Sequence, residues 1–114
     1  MNITPEQARK AFYQAAENID RSPELYDFMA IQIGDDNCPA CMWGHVGRFL
    51  GVNEKMDVYD FAKEIGHEHN DISTDFPGHN YSMCSYDENP QHAAQRLRDF
   101  ADLHYPAKKA EHEP

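Results

Sequence analysis

Apolar residues recur at intervals of three and four in four segments of this 114-residue chain, and this periodicity constrains its fold more than any other feature. In the first segment, Thr4, Pro5 and Gln7 form a helix start, with a capping threonine, a proline at the first helical position and a capping-box glutamine. Ser22-Pro23 then ends this helix. Its inward positions are Ala8, Phe12, Ala15 or Ala16, and Ile19.

A second helix is predicted over residues 38–50, beginning in the motif NCPACMWGH with Asn37 or Cys38 as its N-cap and ending at Gly51. Two glycines inside it, Gly44 and Gly47, each cost about 1 kcal/mol relative to alanine. This cost predicts that another segment crosses closely over the helix. The predicted inner face comprises Cys38, Cys41, Met42, His45, Val46, Phe49 and Leu50.

The remaining two helices have clear starts. Asp57 caps a helix that begins near Met56 and ends at Gly66, and Asn89 with Pro90 opens the last one. The inward residues are Val58, Phe61, Ala62 and Ile65 in the third helix, and Ala93, Ala94, Leu97, Phe100, Ala101 and His104 in the fourth.

These signals predict a mainly α fold, a bundle of about four helices that forms a single domain over residues 1–106. Residues 67–89 read as a long irregular polar loop, and residues 107–114 as a flexible charged tail. A short strand pair, built from residues 28–33 and the loop, is an open alternative.

The charge balance narrows the class of partner. Twenty acidic residues against ten basic ones give a net charge of −10, which repels a phosphate backbone and attracts a basic protein. No apolar run approaches the roughly 18 residues that a membrane span requires, and the first residues lack the plan of a signal peptide. With three cysteines, an odd number, we expect a cytoplasmic protein with reduced thiols.

Acidic side chains form a candidate partner-binding ridge, because they recur at helical spacing opposite the apolar face of the third helix. A solvated face is the simpler interpretation of the same pattern. Trp43 lies one position off the apolar stripe and is a candidate exposed anchor, with burial as its alternative. The ridge comprises Glu54, Asp57, Asp60, Glu64 and Glu68.

The cysteine pair of CPAC has three interpretations. Zinc could be bound by Cys38 and Cys41 with two ligands from the loop, where His69 and Cys84 are the candidates and His67 and His79 further ones. Redox chemistry would use the helix dipole to activate the first thiol. Packing of Cys41 in the core is the interpretation that we favour, with no cofactor.

For catalysis, the chain has no nucleophile elbow, phosphate loop or HExxH motif, and we assign no catalytic residue. A small acid/base cluster over residues 67–71, His-Glu-His-Asn-Asp, is the enzymatic alternative. The favoured hypothesis is a non-enzymatic acidic protein that binds another macromolecule.

The pattern Cys41-x-x-Gly44 at a helix start, with Asn70-Asp71 in the loop after the next helix, resembles a family of small uncharacterised bacterial and phage domains. In this chain His69 stands where an aromatic residue precedes the Asn-Asp pair, and Cys38 is additional. The resemblance implies a helical fold, structural roles for these four motif residues, and a bacterial or phage setting. A bacterial or phage accessory or inhibitor protein that acts on a basic host factor is our hypothesis for the macromolecule-binding function.

Overall fold

The structure, a computed structural model, describes residues 2–27, 29–30, 33–34, 38–67 and 89–107. Within these residues it is a bundle of four α-helices, which confirms the mainly α prediction. They are α1 (Pro5–Arg21), α2 (Met42–Phe49), α3 (Val58–Glu64) and α4 (Pro90–His104), with a short 3₁₀ turn at Pro23–Leu25. None of the helices described is both long enough and apolar enough to cross a membrane.

The start of α1 is the predicted capping box. The backbone N–H of Gln7 donates to Thr4 Oγ1 at 3.1 Å, and the Thr4 N–H donates to Gln7 Oε1 at 2.8 Å. These reciprocal bonds satisfy two of the donors that a helix start leaves open. The face of α1 that packs against α2 and α4 is buried, as predicted, and comprises Ala8, Ala11, Phe12, Ala15, Ala16 and Ile19.

The start of α2 was predicted wrongly. The helix begins at Met42 with Cys41 as its extended N-cap, four residues after the predicted start at Cys38. A tertiary contact prevents the earlier start, because the Ala40 N–H donates to the Leu25 carbonyl at 2.8 Å and forms a parallel bridge between Tyr26 and Ala40. At the other end, Gly51 has a φ of +73° and ends the helix as predicted.

The predicted inner face of α2 is also partly wrong. Cys38 precedes the helix and is exposed, and Phe49, in the last turn, keeps 41% of its surface exposed. Leu50 is half-buried. The rest of the face is buried as predicted, at Cys41, Met42, His45 and Val46.

Both later helices begin where the sequence indicated. Asp57 caps α3 by accepting from the Tyr59 N–H at 2.7 Å, and Asn89 caps α4 by accepting from the Gln91 N–H at 2.9 Å. His104 was wrongly assigned to the inner face of α4, because it is exposed at the helix end, where its ring is tilted against that of Phe100 with centroids 4.4 Å apart. Arg96, by contrast, is 3% exposed.

The predicted strand pair falls mainly outside the described residues. Inside them, an isolated parallel bridge pairs Tyr26 with Ala40. Nearby, the Ile33 N–H donates to the Met56 carbonyl at 3.0 Å, so the chain before the cysteine motif is tied to the chain before α3.

The close crossing predicted from the helix glycines is found at Gly47. A Cβ at this position would lie 2.6 Å from Ile33 Cδ1, and Ile33 is fully buried. The absence of a side chain therefore lets the segment at Ile33 pack directly on the backbone of α2.

We expect Gly47→Ala to lower the free energy of unfolding by about 1 kcal/mol, because crowding against Ile33 exceeds the gain in helix propensity. Ile33→Val removes the crowded methyl group and by itself costs about 1 kcal/mol. In urea denaturation, the loss in free energy of unfolding of the double variant should be smaller than the sum of the two single losses by about 1 kcal/mol or more. Leu97→Val on α4 is the control and should combine additively with Gly47→Ala; additive behaviour of the Ile33 pair would contradict the proposed crossing.

Candidate functional site

The outer face of α3 carries two of the predicted acidic residues. Asp60 and Glu64 are exposed and one helical turn apart, opposite the buried side chains of Val58, Phe61 and Ala62. Lys63 is the one basic residue within the helix. Two carboxylates one helical turn apart repel each other, so the negative charge of this face favours a positively charged contact.

The ridge is shorter than predicted. Glu54 lies in the turn before α3, where its backbone carbonyl accepts from the Gly34 N–H at 2.7 Å. Asp57 is half-buried, and its carboxylate is used to cap the helix. Glu68 lies outside the described residues. Of the five predicted members, Asp60 and Glu64 therefore remain as exposed helical carboxylates.

A shallow cleft of about 440 Å³ adjoins this pair of carboxylates. It is lined by Met56, Asp60, Lys63 and Glu64. Met56 is half-buried and packs on the core, so it gives the cleft an apolar element beside the acidic groups. The combination suits a long basic side chain, whose alkyl stem lies on an apolar surface while its charged head meets a carboxylate.

Trp43 cannot serve as the exposed anchor. Its side chain is fully buried at the centre of the bundle, where it makes edge-on contacts with one aromatic ring from each of the other helices. The centroid distances are 5.9 Å to Phe12, 6.2 Å to Phe61 and 5.7 Å to Phe100. The alternative of a buried tryptophan is the one that the structure shows.

The cysteine motif is divided between surface and core. Cys38 is exposed, whereas Cys41 is 1% exposed, and burial raises the pKa of its thiol to about 11. Because α2 begins at Met42, Cys38 is four residues away from the first helical residue and outside the first turn, where the dipole acts. This arrangement supports packing of Cys41 and places Cys38 away from the N-terminal turn of α2.

The predicted zinc ligands are only partly described. His69, His79 and Cys84 lie outside the described residues, so the zinc hypothesis stays a prediction. Within the part of the chain that the structure describes, no three His, Cys, Asp or Glu side chains are grouped to hold a metal ion.

Of the histidine cluster at residues 67–71, the structure describes His67 alone. Its Nε2 lies 2.6 Å from the Tyr105 hydroxyl, and its ring packs edge-on against Phe100 and His104 with centroids 4.9 Å and 5.0 Å away. These contacts link the segment that follows α3 to the C-terminal end of α4. The enzymatic alternative depends on residues outside the described ones and stays a prediction.

Two residues of interest were missed by the sequence analysis. Tyr59 follows the cap of α3 and is 44% exposed beside Asp60, which makes it the aromatic residue on the acidic face. A helical projection from the buried Val58 and Phe61 would have placed it outward. His45 was assigned to the apolar face, but its two buried hydrogen bonds to Asn18 and to the Leu25 carbonyl join segments distant in sequence and leave no local signal.

Comparisons with known proteins give no assignment: no family model, curated protein or solved structure matches this chain. The resemblance to small bacterial and phage domains therefore stays a prediction.

The division of the cysteine motif predicts unequal alkylation. In native protein near neutral pH, iodoacetamide should modify Cys38 readily and Cys41 very slowly, because only the thiolate reacts and Cys41 is both protonated and covered. Ionisation alone should slow Cys41 at least about a hundredfold relative to guanidinium-unfolded protein. Peptide mass spectrometry measures both rates, and Cys38→Ser should leave the Cys41 rate unchanged. Equal native rates at the two thiols would refute the core position of Cys41.

Proposed function

We propose that this chain is a non-enzymatic acidic protein that binds a basic protein through the outer face of α3. The observation that carries the proposal is the exposed pair Asp60 and Glu64, which borders a cleft with Met56 in its wall. The same proposal places the protein in the cytoplasm of a bacterial or phage-infected cell, as an accessory or inhibitor protein acting on a basic host factor.

The distribution of arginine supports this choice of face. Three arginines form ion pairs that involve α1 and α4: Arg9 with Asp102 at 2.9 Å, Arg98 with Asp20 at 2.6 Å and Arg21 with Glu17 at 3.8 Å. The other two, Arg48 and Arg96, lie within the fold, where Arg48 Nε donates to the Ile33 carbonyl and Arg96 is buried.

No arginine occurs in α3 or in the turn before it. Residues 54–64 carry four carboxylates and two lysines, so this stretch is acidic while the arginines are used elsewhere. Exposed carboxylates of this kind steer a basic partner toward the surface and raise the rate of association.

Tyr59 supplies an apolar contact on the same face. With 44% of its surface exposed and Asp60 next to it, its ring can be covered by a partner at a low cost in side-chain entropy. A basic segment with an adjacent apolar side chain would therefore match both the charge and the aromatic surface of this face.

The test begins with identification of the partner. The wild-type protein and the variant Asp60→Lys/Glu64→Lys are immobilised and exposed to bacterial lysate, and retained proteins are identified by mass spectrometry. Glu24→Lys/Asp99→Lys is the matched control, because it makes the same change in net charge at two exposed positions on other elements.

We expect at least one basic protein to be retained by the wild-type protein and the control but lost from the α3 variant. Its affinity should fall by about tenfold or more on reversal of the two charges, and the association rate should decrease steeply with added salt. Tyr59→Ala should weaken binding by about tenfold without this salt dependence. If both double variants lose the same proteins equally, net charge rather than the α3 face explains the binding, and the proposal fails.

A further inference from the structure

His45 is a titratable residue of α2 that lies in the protein interior and does not belong to the α3 surface. Its side chain has no exposed area. The Asn18 side-chain amide lies 3.2 Å from Nδ1, and the Leu25 carbonyl oxygen lies 2.9 Å from Nε2. Since a carbonyl only accepts, Nε2 carries the proton, and Nδ1 accepts from the amide N–H of Asn18. Both ring nitrogens are thus satisfied in the neutral imidazole.

The Leu25 carbonyl links His45 to the segment before the cysteine motif. Besides the ring Nε2–H of His45, this oxygen accepts from the backbone N–H of Ala40 at 2.8 Å, and the Ala40 carbonyl accepts from the Asp27 N–H at 3.0 Å. Residues 25–27 and 40 are therefore paired with each other and held on α1 and α2 by one imidazole.

The surroundings of His45 disfavour a second proton. Burial lowers the pKa of its imidazole to about 4, and the Arg48 guanidinium one turn along α2 acts in the same direction. A second proton would also remove the acceptor that Asn18 uses, as the amide N–H would then face an N–H. Among the described residues, the other groups near this site that can carry charge are Cys41, buried with its thiol protonated, and Glu24 and Asp27, which lie on either side of the Leu25–Tyr26 pair and are exposed.

The aromatic centre of the bundle is formed by other residues. Trp43 and the rings around it connect all four helices, whereas the hydrogen bonds of His45 hold residues 25–27, of which Tyr26 reaches the hydrophobic core. Loss of the His45 contacts would thus free the segment before it would separate the helices.

We propose that His45 is an acid-sensitive latch, whose protonation releases residues 25–27 from Ala40 and from α1 while the four helices stay packed. The latch is independent of the α3 surface and of its partner. It is a segment of the fold that opens when the surroundings become acidic.

The direction of the pH dependence follows from proton linkage. In the open segment His45 regains an ordinary pKa of 6.5, whereas in the closed one its pKa is about 4. The open form therefore binds more protons between these values, and the latch loses stability as the pH falls from about 6.5 to about 4. For one proton, the opening equilibrium increases by up to about tenfold per pH unit.

Native-state hydrogen exchange measures this opening at individual amides. The N–H groups of Asp27 and Ala40 report on the latch, and those of Phe12 and Phe100, inside α1 and α4, report on the helix bundle. After correction for intrinsic exchange rates, protection at Asp27 and Ala40 should fall by up to about tenfold per pH unit across this window. Protection at Phe12 and Phe100 should change far less.

Two variants separate the latch from general acid sensitivity. His45→Gln keeps a donor for the Leu25 carbonyl without a titrating group, and its protection at Ala40 should be independent of pH. Asn18→Asp places a carboxylate at Nδ1, which stabilises the protonated ring in the closed form, so the loss of protection in acid should also disappear. It provides the test if His45→Gln does not fold.

The proposal is overturned if protection at Asp27 and Ala40 is independent of pH in the wild-type protein. It is equally overturned if all four amides lose protection in parallel, which would indicate acid unfolding of the whole bundle. If the folded variants still lose protection at Asp27 and Ala40 in acid, a group other than His45 causes the loss, and the proposal is overturned as well.

Discussion

The edge-on packing of aromatic rings around Trp43 is the interaction on which the rest of this bundle depends. Trp43 extends from α2 and meets Phe12 of α1, Phe61 of α3 and Phe100 of α4, so a single side chain contacts all of the other helices. Two of these helices, α2 and α3, have only eight and seven residues, and helices of that length are not stable by themselves in water. Their persistence follows from the apolar area that they bury against this centre. The same packing explains why the tryptophan of the motif NCPACMWGH lies in the core and not on the surface.

The sequence predicted those features that local chemistry determines. The capping box at Thr4, the caps at Asp57 and Asn89, and the helix ends at Gly51 and Gly66 each depend on residues within a few positions of one another, and all are found. The prediction of the start of α2 was wrong because the Ala40 N–H bonds to the Leu25 carbonyl, fifteen positions earlier. This bond overrides the preference of Pro39 for a first helical turn. His104 was also predicted wrongly: its spacing is helical, but Ala101 is the last residue of α4 in the core. The candidate site was predicted in part, since spacing identified Asp60 and Glu64, while the use of Asp57 as a cap depended on where α3 begins.

Charge in this protein is divided by residue type. Arginine, which can bind a carboxylate through two donors, holds distant parts of the chain together: Arg98 joins α4 to α1, and Arg9 reaches both Asp102 and the Tyr105 carbonyl. The lysines at positions 10, 55 and 63 are exposed. Among the described residues, the arginine ion pairs involve α1 and α4, and the acidic face of α3 belongs to a different helix. A net charge of −10 does not by itself favour one face over another, and this separation is what supports the proposal of the α3 face.

The bond from Arg9 Nη1 to the Tyr105 carbonyl spans 96 positions, and α1 makes its largest interface with α4. While the polypeptide is being synthesised, α1 leaves the ribosome long before the helix that covers it. Its apolar face, including Phe12 and Ile19, must then remain uncovered or be shielded by α2 and by chaperones until α4 arrives. Closing so long a loop is entropically costly, and contacts between remote parts of a chain slow folding. The bundle is therefore completed late in synthesis. Truncation before residue 90 would leave the apolar face of α1 exposed and prone to aggregation.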